Sequence, residues 1–322
     1  MEQPDSPIHR YHDGTKHHFN RFARSLGYLD WATQPNPFRS FAGSPSYQLY
    51  PAPGAHVDGY TPVAVGYHQL FEPAAVVTPL SAAAVGDLFR HSLGLSAWKV
   101  FGASRWSLRA NPSSGNLHPT EAYLISGPLP GLAGDAAVYH YAPDRHVLEE
   151  RCTFDRRHWA AASEGESVVL VALTSIHWRE AWKYGERAFR YCQHDLGHAV
   201  AAIELAAKML GWRTDLVPTW SHHAIAALIG VNRDEDFVEA EREEPGCLLV
   251  ISTGLVPAGL SEGPDRLLHA IRGGRWSGRA SQLSEDHIQW TFIDDVASAT
   301  EDPGRTRPNE SASQIEPTPH VF

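Results

Sequence analysis

The sequence predicts an α+β domain, on three observations. Residues 168–173, Val-Val-Leu-Val-Ala-Leu, are a continuous apolar run of strand length, as expected of a strand buried on both faces. Residues 122–126, 138–141 and 147–149 are further strand-like runs, with Pro143-Asp144 as a turn between the last two. Helical stripes of unequal length separate the other runs, and no GxGxxG follows a strand, so a regular βαβ repeat with a dinucleotide site is not supported. The phosphate loop GxxxxGK[ST] and the nucleophile motif GxSxG are absent as well.

Taken in order, residues 1–30 carry His9, Arg10, His12, Lys16, His17, His18, Arg21 and Arg24, and read as a solvated helix or arm rather than a metal site. Residues 31–75 are rich in proline and glycine with few periodic apolars, the composition of a segment that wraps the core or reaches a partner subunit. The first helix starts after Pro79 with Ser81 as its N-cap. Val85, Leu88, Phe89 and Leu93 form its stripe, and the pattern runs on into Ser96-Ala97-Trp98-Lys99, where Lys99 is a surface lysine or a phosphate contact. A long alanine-rich helix carries Ala188, Cys192, Ala199, Ile203, Ala206 and Leu210 near one stripe and stops at Gly211; its small residues suit a central or dimer-interface position. Residues 213–217 read as a strand, Ser221 caps a short helix to Ile229, 232–245 is an acidic loop, and 247–252 is another buried strand. Ser284 is the expected cap of a last helix to about Ala299. From Glu301 onward Pro, Ser, Glu and Asn dominate, as in a disordered tail or linker. The organisation expected is an arm over 1–75, one domain over 76–300 and a tail over 301–322.

With 322 residues, 43% hydrophobic and 20% charged, the chain has the length and composition for a full core. A formal net charge of −10 argues against a general nucleic-acid surface. Cys152, Cys192 and Cys247 are widely spaced, so they read as small buried apolar residues of a reducing compartment rather than a disulfide frame. No apolar run reaches membrane-spanning length and the N-terminus lacks a signal pattern, which makes a cytoplasmic protein the expectation.

Two stretches carry the chemistry. The first, from Arg105 to Glu121, reads Arg-Trp-Ser-Leu-Arg-Ala-Asn-Pro-Ser-Ser-Gly-Asn-Leu-His-Pro-Thr-Glu. Its Gly115 lets the backbone bend or approach a ligand closely, and Asn116 both donates and accepts hydrogen bonds. The second, Trp182-Lys183-Tyr184-Gly185-Glu186-Arg187-Ala188-Phe189-Arg190-Tyr191, leads to Gly197-His198. Together and in this order they resemble the nitroreductase superfamily. More narrowly they resemble its SagB-type branch of thiazole/oxazole-forming oxidases (ThcOx-like), whose members share Pro-Ser-(Ser/Ala)-Gly-x-x-(His/Tyr)-Pro-x-Glu and a Lys-Tyr-Gly-x-Arg run followed by Gly-His. The resemblance spans roughly residues 75–290.

The resemblance implies a nitroreductase-like fold, a central and mostly antiparallel sheet flanked by helices, with FMN as cofactor and a homodimer or a second nitroreductase-like domain as partner. It places Pro112, Ser113, Ser114 and Asn116 at the flavin ring and ribityl chain. Arg105, Ser107 and Arg109 are candidate phosphate or ring contacts. The superfamily's Arg-x-Ser-x-Arg normally lies near the start of the domain, well ahead of the Pro-Ser motif, whereas here the two are adjacent. Either this copy takes over, or Arg272, Arg275 and Arg279 bind the phosphate. Lys183 and Tyr184 match the Lys-Tyr pair that acts in deprotonation in azoline-oxidising relatives; a desolvated lysine can serve as a base and a tyrosine can relay a proton. A surface pair at a helix start is the plainer alternative. His194 and His198 have zinc-like spacing but no third ligand, so no metal is expected. The function implied is a SagB-like FMN-dependent oxidoreductase acting on a small molecule or peptide, with azoline-to-azole oxidation as its sharpest form. An NAD(P)H-dependent nitro or quinone reductase is the alternative within the class. A flavin-free scaffold, half of a tandem pseudo-dimer, is the alternative outside it, motivated by the displaced Arg-Ser-Arg pattern and the C-terminal linker.

Overall fold

The structure, a computed structural model, describes residues 6–49, 64–72, 74, 76–261 and 263–304. In chain order these form α1 (Pro7–Thr15), β1 (Phe41–Ala42), β2 (Ser46–Gln48), α2 (Ala82–Ser92), β3 (Leu95–Phe101), β4 (Ser104–Arg109), β5 (Thr120–Ser126), β6 (Ala136–Ala142) and β7 (Val147–Phe154). Then follow α3 (Arg156–Ala162), β8 (Val168–Ser175), α4 (His177–Tyr184), α5 (Ala188–Met209), β9 (Arg213–Leu216), α6 (His222–Ile229) and β10 (Glu244–Ser252). The last elements are α7 (Ala258–Ser261), α8 (Asp265–Arg272), β11 (Arg275–Trp276), β12 (Arg279–Ala280) and α9 (Thr291–Ala299).

The central sheet runs β11-β7-β6-β5-β8-β10-β9, with β2 also on β7, and every one of these pairings is antiparallel. Alternation along the strands divides the core in two. Ala122, Leu124, Tyr139, Val169, Val171, Leu173 and Leu249 face one side, where Val85, Leu88 and Phe89 of α2 and Ala199, Ile203 and Ala206 of α5 cover them. Tyr123, Ile125, Val138, Leu170, Ala172 and Leu248 face the other, under Trp159 of α3, Ile225 and Leu228 of α6 and Leu267 and Ile271 of α8. Strand β8 is buried at every position, which is why its sequence is continuously apolar rather than alternating. The α+β expectation holds in this two-faced sheet. No helix among the described residues is long and apolar enough to cross a membrane.

Local signals account for most boundaries. Ser81 Oγ accepts from Ala84 N at 3.2 Å to start α2, and Ser221 Oγ accepts from Ala224 N at 3.0 Å to start α6. Two boundaries correct the sequence reading. The helix predicted to run into residues 96–99 ends at Ser92; residues 95–101 are strand β3, paired with β4 as a two-stranded hairpin. Gly94 is the reason: its α-carbon lies against the Arg90 backbone, where a Cβ would come within 2.8 Å of the Arg90 carbonyl oxygen, so the chain can fold back there. Ser284 does not cap the last helix, which begins at Thr291. Its amide is instead committed to the Glu241 carboxylate at 3.0 Å, and its hydroxyl lies 2.8 Å from Asp286 O and 3.2 Å from Glu241 Oε1. The C-terminal tail beyond residue 304 lies outside the described residues.

Candidate active site

Sheet register brings the two sequence motifs together. Strand β5 begins just after the Ser113–His118 turn, strand β8 ends just before α4, and the two strands are antiparallel neighbours with Thr120 opposite Ser175. The turn and α4 therefore leave the sheet at the same end. Ile176 N donates to Pro119 O at 2.8 Å and fixes the junction. Leu117, Ile176, Trp178, Ala181, Trp182, Trp290 and Ile293 form a separate apolar cluster there.

The turn is held from three sides. Ser114 N donates to both carboxylate oxygens of Asp195 at 3.0 Å, and Ser114 Oγ donates to Oδ1 at 3.1 Å; Asp195 itself is fully buried on α5. Asn116 Nδ2 donates to Ser107 O at 2.8 Å, tying the turn to β4. His118 Nε2 donates to Asn116 Oδ1 at 3.0 Å, and His118 N donates to Ser113 Oγ at 2.8 Å. Burial, with Arg109 and Arg179 nearby, holds the His118 imidazole far below its ordinary value, at about 2, so it is neutral. Gly115 has φ +61°, and a Cβ there would lie 2.6 Å from Tyr184 Oη and 3.1 Å from Lys183 Nζ. The bare glycine is what allows the Lys183–Tyr184 pair to close over the turn. Gly115→Ala is expected to cost about 1–2 kcal/mol from the left-handed backbone alone, read as a lower urea midpoint, and to push the Tyr184 ring away, read as a changed Tyr184 signal in aromatic NMR.

Beside the turn is a cavity of about 710 Å³. Trp98, Arg105, Trp106 and Ser107 of the hairpin, Gly115 and Asn116 of the turn, and Arg179, Trp182 and Lys183 of α4 line it. Its remaining wall is residues 29–38, a strap fastened by interior side chains: Trp182 Nε1 donates to Asp30 O at 2.8 Å, Arg179 Nε to Asn36 O at 3.2 Å and Arg109 Nη2 to Pro37 O at 2.5 Å. The lining holds three basic side chains, Arg105, Arg179 and Lys183, and no acidic side chain. Arg105 lies with its guanidinium 4.1 Å from the centroid of the Trp98 ring. Arg179 donates to His118 O at 2.8 Å and to Glu121, while its Nη2 is buried without a partner.

Of the residues the sequence singled out, Arg105, Ser107, Asn116 and Lys183 line this cavity. Ser113, Ser114 and Tyr184 stand just behind it, in the turn and against Gly115, and Pro112 is exposed on the turn's outer side. Arg109 is buried and spent on the strap and on Thr120 O, at 3.3 Å. Arg272, Arg275 and Arg279 belong to α8, β11 and β12 and do not line the cavity. His194 and His198 are exposed on α5, and among the described residues no group of three or more His, Cys, Asp or Glu is placed to hold a metal ion. The sequence reading missed Arg179, Glu180 and the anchoring role of Asp195. Arg179 had a signal, since it stands one helical turn before Lys183 on the same face.

The nitroreductase family model matches residues 74–240. The chain belongs to the nitroreductase family. Membership supports an oxidoreductase. A Methanocaldococcus jannaschii protein assigned as a nitroreductase, MJ1384, is 25% identical over 126 residues, which is 37% of this chain and 63% of that protein. The trifolitoxin-processing protein TfxB of Rhizobium leguminosarum bv. trifolii is 36% identical over 115 residues, 32% of this chain and 30% of TfxB. The chain thus matches less than two thirds of the length of either relative. A crystal structure from Anabaena variabilis, assigned as a nitroreductase, superposes with a TM-score of 0.58 over 79% of this chain and 48% of that one, at 23% identity, a likeness of fold.

Proposed function

We propose that this domain is an FMN-dependent oxidoreductase of the SagB type, with the flavin in the cavity beside Gly115 and with Lys183 and Tyr184 handling the substrate proton. The observation that carries the reading is the lining itself: two arginines, a lysine and no acid, in a chain of net charge −10, beside the bare Gly115. A phosphate needs cationic donors, and a planar ring needs aromatic walls and close backbone approach. Arg105 and Arg179 answer the first requirement, and Trp31, Phe38, Trp98, Trp106 and Trp182 with Gly115 answer the second. Arg179 Nη2 is a buried donor that still lacks an acceptor, and Asn116 has a second N–H beyond the one given to Ser107 O. Bound there, FMN supplies a two-electron redox centre.

The chain's own residues do the rest. Lys183 Nζ takes the proton from the substrate. Tyr184, whose phenol is raised above its ordinary value by burial, stays protonated beside it as a hydrogen-bond donor. Of the tryptophans, Trp182 is buried against the strap, while Trp98 and Trp106 form an exposed wall. The likeness to TfxB, a trifolitoxin-processing protein, supports a peptide as substrate; the reaction we assign to it, azoline-to-azole oxidation, rests on the motif resemblance at Lys183-Tyr184. The likeness to a protein assigned as a nitroreductase supports reduction of nitro or quinone compounds as the second reading. Trp98, Val100, Phe101 and Trp106 are exposed on the hairpin, and a second copy or a second nitroreductase-like domain would cover them. The visible absorption spectrum of the purified protein, with the released chromophore identified by chromatography, tests the reading. Bound FMN is expected. A colourless protein, even after incubation with excess FMN, would overturn it in favour of a flavin-free partner subunit.

A further inference from the structure

Glu180 stands on α4 one turn before Lys183. Its side chain is fully buried, and neither carboxyl oxygen has a hydrogen-bond partner. An ionised carboxylate in that position would be costly, because buried anions are ordinarily paired or hydrogen-bonded. The charged and titratable groups facing it are Lys183 on its own helix and Asp195 on α5. Tyr184 and Cys192 are the other titratable groups around it, and the Tyr191 ring lies 4.4 Å from that of Tyr184. Asp195 accepts three hydrogen bonds from Ser114 and donates none, the pattern of a carboxylate. A carboxyl group buried without a hydrogen-bond partner keeps its proton.

We propose that Glu180, buried with neither carboxyl oxygen partnered, is a neutral carboxyl, so that Lys183 has no ion-pair partner and faces the cavity uncommitted. Glu180 is a positioning residue that acts through Lys183. The proposal rests on the reading of Lys183 as the base of the site. A glutamate and a lysine one turn apart on a helix ordinarily pair. Here the lysine salt bridges among the described residues are those of Lys16 and Lys208, and Lys183 Nζ lies 5.4 Å from the centroid of the Tyr184 ring. Burial, with Asp195 adding to it, pushes the Glu180 carboxyl up to about 9. The arrangement therefore has an upper limit in pH. Once Glu180 ionises, its carboxylate can pair with Lys183 and draw that side chain away from the cavity.

Amine-selective acylation of the whole protein across pH 7–11, with Lys183 and the exposed Lys99 quantified by peptide mass spectrometry, reads this directly. In the native protein the Lys183 to Lys99 labelling ratio is expected to fall about ten-fold as the pH passes through the region of Glu180 ionisation. In Glu180→Gln, which copies the shape of the neutral carboxyl, the ratio should stay level. Glu180→Met gives the same readout if the amide does not fold. A ratio already level in the native protein, or a fall that survives both substitutions, overturns the proposal. The labelling needs neither flavin nor substrate. A colourless protein with the expected labelling refutes the redox reading alone, and a flavoprotein without it refutes the Glu180 proposal alone. In the flavoprotein, the alkaline fall in turnover should disappear with Glu180→Gln.

Discussion

Lys183→Ala is expected to lower turnover by about 10²–10⁴-fold, the usual contribution of a positioned proton-transfer group, while the protein stays yellow and folded. The structure makes the two halves of that result separable. No hydrogen bond or salt bridge among the described residues depends on Lys183 Nζ, whose recorded neighbours are Gly115 and the Tyr184 ring. Removing the amine therefore leaves the turn held by Asp195, Ser107 and His118. Arg105 and Arg179 remain in the lining as cations for a phosphate. Lys183→Arg is the companion variant: it restores a positive charge but not a base, because a guanidinium does not give up its proton in this pH range. Turnover near that of alanine in the arginine variant assigns the loss to proton transfer. Flavin absorbance, denaturation midpoint and single-turnover rate measured on the three proteins decide the matter. Full activity in Lys183→Ala would remove Lys183 from the chemistry, and loss of flavin with it would make Lys183 a binding residue instead.

The parts of this picture that were legible in sequence are those fixed by neighbours in the chain. The six apolar residues at 168–173 could satisfy a strand covered on both faces, and they form one. Ser221 caps α6 because its hydroxyl needs only the amide three residues on. The Ser114-Gly115-Asn116 turn and the Lys183-Tyr184 pair were visible as motifs for the same reason. What was not legible depends on contacts distant in sequence. Residues 96–99 read as the end of the first helix on paper, and the break at Gly94 shows only when it is seen against the Arg90 backbone. Ser284 has the composition of a cap, but Glu241, far away in sequence, claims it. The strap over the cavity has no pattern of its own; Trp182, Arg179 and Arg109 define it from elsewhere in the chain. Glu180 looks like any helix glutamate until the fold buries it with neither oxygen partnered.

Glu121→Gln is the substitution expected to cost most stability, about 3–5 kcal/mol, the range for breaking a buried ion pair and leaving its partners uncompensated. Glu121 is buried at the start of β5, where it accepts from Arg179 and from His140 Nε2, the latter at 2.9 Å. His140 is buried on β6 and donates its other nitrogen to Glu149 Oε2, also at 2.9 Å. Glu149 in turn accepts from Phe41 N at 3.0 Å and from Arg145 Nη2 at 2.6 Å. Arg179 at the cavity is thus joined through two acids and an imidazole to Arg145 on the far side. Burial opposes charge at both central members, but the partners prevail. His140, pushed down by burial, is lifted to about 9 by its bonds to Glu121 and Glu149, and Glu121, pushed up by burial, is held near 2 by Arg179 and His140. The signs follow from linkage. The Glu121 contribution is present above the ordinary glutamate range and is lost as pH falls toward 2. The His140 contribution is complete below the ordinary histidine value of about 6.5 and is lost as pH rises through about 9. The native protein should therefore lose stability on both sides of a plateau at about pH 5–6.5, and urea midpoints measured from pH 3 to 10 should show both arms. The glutamine variant keeps an acceptor oxygen for one neighbour but no charge for either, so its profile should be lower and flatter at both ends. If the variant loses less than about 1 kcal/mol, the scale of an exposed pair, or keeps both arms, the network is not what couples the cavity wall to the sheet. Arg179 would then owe its position to the carbonyl oxygens of Asn36 and His118 alone.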